Sequence, residues 1–138
     1  MRPPLVIEIP GTFDRRLSGN GVRNTHWGTR KKLNDELKSR VGWYAKEAVG
    51  NVNDPVACFQ RNPWPLRIDY VIGWEKFAKI MDDDNVLTAA KGMRDAVASV
   101  LGIDDKYFIT GSVTQERDPA QRGYMRIVIA SVAEEQAA

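Results

Sequence analysis

Residues 66–115 run LRIDYVIGW EKFAKIM DDDN VLTAAKGMRDAVASVL GIDD KYFITGSVTQ, and the division of this stretch decides the fold. Leu66, Ile68, Tyr70, Ile72 and Trp74 alternate with Arg67, Asp69, Val71 and Gly73, the period of a half-buried strand. From Val86 the period changes: Val86, Ala89, Ala90, Met93, Ala96, Val97, Val100 and Leu101 recur at the spacing of an amphipathic helix. Gly102 supplies a left-handed stop, and Ile103 is placed for the hydrophobic contact that accompanies such a cap. Phe108 to Gln115 returns to strand composition. Strand, helix, strand is the prediction.

Upstream, Leu5 to Ile9 alternates and meets Pro10-Gly11, which predicts a first strand. Residues 11–28 read as loop. Leu33, Leu37, Val41, Tyr44, Ala45 and Ala48 then share one helical face, with Thr29 as N-cap and Gly50 as stop. Asn51 to Pro65 carries turn residues and reads as loop. Downstream, an Asp118-Pro119 turn leads to a last strand over Gly123 to Val132, and residues 133–138 form a polar tail expected to fray. There is no repeat, low-complexity tract or linker, so residues 1–138 are expected to form one α+β domain, with a mixed sheet and two main helices packed on it. The order of the strands is not legible.

The chain is 43% hydrophobic, enough for a core that needs no covalent staple. One cysteine, Cys58, excludes an internal disulfide and a multi-thiolate zinc site, and one histidine, His26, argues against histidine chemistry. No apolar run approaches the roughly 20 residues that cross a bilayer, and Met1 to Pro10 lacks the layout of a signal peptide. A cytoplasmic protein with no membrane partner is expected. Charge is unevenly spread: Val22 to Ala48 holds seven basic residues against three acidic ones, whereas Asp82 to Asp105 holds six acids against two bases. The first stretch favours anions and the second cations, the pairing required where a metal works beside a polyanion.

Asp82-Asp83-Asp84-Asn85 stands at the entry to the Val86 helix. One acid is enough to cap a helix. Three in succession repel one another, so the others stay solvated or take a counterion, for which a divalent cation is well suited. In an extended lead-in, Asp82 and Asp84 point one way and Asp83 the other. An EF-hand is excluded, because counting from Asp82 puts Leu87 at the glycine position and Met93 at the bidentate glutamate position. Magnesium held by few carboxylates, water and a phosphate oxygen suits so sparse a cluster.

Lys91 shares a helical face with Asp84 and Asp95. It either pairs with Asp95 at i,i+4 or steadies charge on a phosphoryl group. Arg30, Lys31 and Lys32 open the first helix, where basic side chains beside orphan amides suit a phosphate, although a solvated surface explains them equally well. Lys76 and Lys79 precede the acids and could meet a DNA backbone. Trp43, Trp64 and Trp74 read as core or interface rather than as stacking platforms.

The ordered set Asp82-x-Asp84-Asn85, Lys91, Asp95-Ala96 and Asp104-Asp105 resembles the RusA family of Holliday junction resolvases, over about Leu66 to Val132. Lys91 follows Asn85 by six positions, a longer interval than is usual there. The resemblance implies a RusA-like, intertwined homodimer that binds four-way DNA junctions and makes paired cuts with Mg2+, or Mn2+ in its place. It implies Asp82, Asp84 and Asp105 as metal ligands and Lys91 as a further catalytic residue, in a phage or prophage protein working in the bacterial host cytoplasm. The helix between Asp84 and Asp105 spans roughly 25 Å, so a shared metal requires a sharp return of the chain or an Asp105 from a two-fold partner. Two other readings stay open: a branched-DNA-binding recombination accessory without cleavage, and an interaction domain whose acids only cap a helix.

Overall fold

A computed structural model describes residues 4–50 and 65–131. The elements follow the order β1 (Leu5–Pro10), a 3-10 turn (Arg15–Leu17), α1 (Gly19–Asn24), α2 (Trp27–Gly50), β2 (Leu66–Trp74), α3 (Asp83–Leu101), a second 3-10 turn (Asp105–Tyr107), β3 (Phe108–Arg117) and β4 (Tyr124–Ser131). The strands form one mixed sheet in the order β1-β4-β2-β3. β4 runs antiparallel between β1 and β2, from Leu5 opposite Ile129 and Leu66 opposite Ser131. β3 lies parallel to β2, with Leu66 opposite Phe108 and a register shift between Ile68 and Tyr70. This is the expected α+β domain.

Alternation in the strands sends one side of the sheet inward. Leu5, Ile7, Ile9, Ile68, Tyr70, Ile72, Met125, Ile127 and Ile129 are buried in one cluster with Leu37, Val41 and Ala45 of α2 and Val86, Met93 and Val97 of α3. Both long helices thus bury the predicted stripes. Gly102 ends α3 at φ 68°, and the Ile103 amide donates to the Ala98 carbonyl at 3.1 Å while its side chain joins the core. A left-handed end of this kind is why glycine stands there. Residues 51–64, with Cys58 and Trp64, and residues 132–138, which include the predicted tail, lie outside the described residues. Among the described residues, no helix is long and apolar enough to cross a membrane.

Two local expectations are corrected. The stretch 11–28 is not plain loop: Asp14 caps the first 3-10 turn through the Arg16 amide, and Ser18 caps α1 through the Gly21 amide at 3.2 Å. The helix expected to start after Thr29 begins at Trp27, and His26 Nδ1 accepts the Gly28 amide at 3.1 Å. Arg30, Lys31 and Lys32 therefore lie past the orphan amides, since the Arg30 amide already donates to the His26 carbonyl at 3.0 Å. Of the tryptophans expected in the core or at an interface, Trp74 is buried in the core and Trp43 is 62% exposed on the single chain.

The β3–β4 turn is organised by one carboxylate. Asp118 accepts the amides of Ala120, Arg122 and Gly123, each at 2.9 Å. Partial desolvation pushes the Asp118 carboxyl up, but these three amides together outweigh it and hold it below the usual carboxylate range. A depressed folded-state pKa gives stability that is present above the unfolded value of about 3.9 and is lost as pH falls through the folded one. Asp118→Ala should therefore melt at a lower temperature than wild type at neutral pH. The gap should shrink below about pH 4, as read by thermal melts across a pH series.

Candidate functional site

Parallel strands need a crossover, and here it is α3. It places Asp82, Asp83 and Asp84 beside the carboxyl ends of β2 and β3, the edge at which open α/β sheets commonly bind ligands. The loop joining β2 to α3 is held from both sides. Arg15 lies 4.8 Å over the Trp74 ring and donates to the Lys79 carbonyl at 2.6 Å. Arg117 at the end of β3 donates to the Glu75 carbonyl at 2.8 Å and also to that of Ala78.

Gln115 completes the hold and uses its whole amide. Its Oε1 accepts from Trp74 Nε1 at 2.9 Å and from the Met81 amide at 3.2 Å. Its Nε2 donates to the Met81 carbonyl at 2.6 Å and to Asp83 Oδ1 at 2.9 Å. Asp83 is thereby the tethered member of the acid run. Asp82 occupies the N-cap position with φ −63° and ψ 145°, yet its side chain makes no capping bond. Its carbonyl accepts the amides of Asn85 at 3.0 Å and Val86 at 3.3 Å instead. The carboxylates of Asp82 and Asp84 are exposed and accept no hydrogen bond among the described residues.

The expected extended pairing of Asp82 with Asp84 is not observed, because helix α3 starts at Asp83 and Asp84 sits in its first turn. The two acids are separated from Asp83 by its tether rather than by strand alternation. Asn85 packs against Gly19 of α1, where a side chain would collide with its Oδ1. Thr88 Oγ1 donates to the Asp84 carbonyl at 3.1 Å. Lys76 and Lys79 are exposed in the same loop as the acids.

Asp105 lies elsewhere. It opens the 3-10 turn beyond the other end of α3, whose 19 residues span roughly 28 Å. Arg94 fixes that end, donating to the carbonyls of Asp105 at 2.9 Å and Phe108 at 2.6 Å. Asp104 caps the turn through the Lys106 amide at 3.0 Å, which holds its carboxyl below the usual range. Among the described residues, no group of three or more metal-ligating side chains comes together. One chain therefore offers Asp82 and Asp84 at one end and Asp105 at the other.

Lys91 is exposed on α3, roughly 10 Å along the axis from Asp84, and has no ion-pair partner among the described residues. The local pair with Asp95 does not form; Asp95 meets Lys38 of α2 at 3.7 Å. Lys31 pairs with Asp35 at 2.8 Å, and Lys32 is exposed. Sequence reasoning missed Arg15, Gln115 and Arg117. The signal was present for Gln115, since strand alternation turns it inward with Val113, where a polar side chain needs partners.

No protein-family model matches the chain, and no curated protein matches it. Among solved structures, it is similar to the crystal structure of the periplasmic domain of Helicobacter pylori MotB, residues 90–256, at 9% identity and a TM-score of 0.43, over 99% of this chain and 80% of that one. That likeness is too slight to bear on fold or function.

Gln115→Met keeps the volume and strands the Trp74 and Met81 donors, so it should cost about 2–3 kcal/mol in denaturant unfolding. Gln115→Glu keeps an acceptor for the Trp74 and Met81 donors but replaces the donor to Asp83 and the Met81 carbonyl with a negative charge. It should recover stability as pH is lowered toward about 4, where the new carboxyl takes a proton.

Proposed function

We propose that this protein is a magnesium-dependent, structure-selective endonuclease of the RusA type, cutting four-way or related branched DNA as a homodimer by phosphodiester hydrolysis. The observation that carries the reading is the split within the acid run: Gln115 ties down Asp83, while Asp82 and Asp84 stay exposed and unbonded beside the strand ends. Neither carboxylate accepts a hydrogen bond or forms an ion pair among the described residues. Magnesium takes one or two carboxylates and fills its remaining positions with water and phosphate oxygens, so this pair fits it. Bound there, the ion would neutralise phosphate charge and activate water.

The chain's own residues do the rest. Arg15, Gln115 and Arg117 hold the acid-bearing loop still, and Lys76 and Lys79 offer phosphate contacts beside it. Lys91 extends the same helix as a cation for charge developing on the phosphate. Arg30, Lys31 and Lys32 extend the basic surface along α2, Lys32 the most freely. Asp105 cannot reach Asp84 within one subunit, so a second copy must bring its own Asp105 to the pair if three acids hold the metal. The resemblance in sequence also supports the host cytoplasm of a phage or prophage as the setting.

The separation of Asp105 from Asp82 and Asp84 equally favours a second reading, a branched-DNA-binding recombination accessory without cleavage. Labelled junction, fork and duplex incubated with magnesium separate the two. Nicking of branched DNA by wild type, abolished by EDTA and reduced at least a hundred-fold in Asp84→Asn, supports the nuclease; binding that persists in EDTA with no nicking after magnesium is restored supports the accessory.

Mixed Asp84→Asn and Asp105→Asn subunits test the shared site. If Asp105 acts across the dimer, each heterodimer keeps one intact site and nicks one strand without paired cuts. Inactive heterodimers place the site within one chain.

A further inference from the structure

The least buried large apolar side chain among the described residues is Phe77, 91% exposed. A single exposed apolar residue is ordinary, but the position of this one is not. It stands in the turn closed by the Ala78 amide donating to the Glu75 carbonyl at 3.1 Å. Three carbonyls of this short loop, those of Glu75, Ala78 and Lys79, accept guanidinium bonds from Arg117 and Arg15. A loop tip is normally among the most mobile parts of a domain. Here two arginines brace the tip, and the side chain they present is aromatic.

We propose that Phe77 is a wedge that inserts between unstacked bases at the branch point of DNA. The reading rests on the branched-DNA function above and names the residue that would recognise the branch. Three observations combine. Lys76 and Lys79 flank the ring in sequence and are exposed, so phosphates on either side of an opened step have cations to meet. Lys76 Nζ lies 5.4 Å from the ring centroid, which keeps a positive charge at the tip itself. Asp82 follows Phe77 by five residues, so no more than roughly 17 Å of chain separates the wedge from the unbonded acids.

Intact duplex resists such insertion, because unstacking a step costs a few kcal/mol. At a four-way junction or fork the central steps are already strained or open, and the cost falls. The braced ring therefore discriminates by shape without reading sequence. A protein partner is the weaker fit, since lysine is depleted at the buried centre of protein interfaces.

The test uses full-length protein in EDTA, which separates binding from cutting, with junctions carrying 2-aminopurine at the crossover. Wild type should raise 2-aminopurine fluorescence as the base unstacks. Phe77→Ala should abolish that rise and weaken junction binding about five-fold or more, leaving duplex binding unchanged. Phe77→Trp should retain both effects, and circular dichroism should show each variant folded. An undiminished fluorescence rise in Phe77→Ala overturns the wedge, as does equal loss of duplex and junction affinity. So does a shift of Phe77→Ala from dimer to monomer in sedimentation, which would make the ring a contact between copies. Cleavage by wild type that is lost in Asp84→Asn but untouched by Phe77→Ala would sink the wedge alone. Absence of any junction binding by wild type would remove both proposals.

Discussion

A parallel strand pair cannot be closed by a tight turn, and this constraint governs the molecule. β2 ends at Trp74 and β3 must begin beside Leu66, so the chain has to travel back along the sheet before pairing again. α3 makes that return. Its length matches the strands, its apolar stripe closes the core over the sheet, and its two ends separate Asp82, Asp83 and Asp84 from Asp104 and Asp105. Asp82 and Asp84 fall at the carboxyl ends of the strands and Asp105 at the opposite end because of this one connection. The fold thus dictates which residues can cooperate within a subunit.

The energetics of the acid-bearing end follow from the same geometry. Neighbouring carboxylates repel, and a loop carrying three of them would favour open, solvated conformations. The positive end of the α3 dipole offsets part of that repulsion by a few tenths of a kcal/mol to about 1 kcal/mol per charge. Directed hydrogen bonds supply the rest. Gln115, reaching from the last inward position of β3, satisfies the Trp74 indole, both backbone groups of Met81 and the Asp83 carboxylate together. Because the amide joins strand, loop and helix start, the position of Asp82 and Asp84 is set by the sheet rather than by the acids themselves. Their carboxylates accept no hydrogen bond among the described residues.

Much of this was legible from residue patterns. Period-two alternation over Leu66 to Trp74 and the stripe from Val86 to Leu101 both recur as buried faces, and Gly102 stops α3 where a left-handed residue was expected. Such long, strongly periodic segments report burial directly. The stretch 11–28 carried no such period, because its 3-10 turn and six-residue α1 are set by caps, Asp14 and Ser18 respectively, rather than by an apolar stripe. The start of α2 was misplaced for a related reason: His26, an uncommon capping group, takes the role assigned to Thr29. Trp74 takes the core place expected of tryptophan, and Trp43 lies on the outward side of α2. The pairing of Asp95 with Lys38 rather than Lys91 depends on the packing of α2 against α3, which no single-segment rule contains. Strand order was likewise invisible, being a property of long-range pairing.

The candidate site shows the same division between local and global information. The identity of the acids was readable because three consecutive aspartates at a helix entry exceed what capping needs. Which of them is available was not readable, because it depends on Gln115, which lies 32 residues from Asp83 in the chain. Asp83 is set apart from its neighbours as expected, but by a hydrogen bond from β3 rather than by strand alternation. The crossover therefore sets both the start of α3, where Gln115 reaches Asp83, and the separation of Asp105 from Asp82 and Asp84.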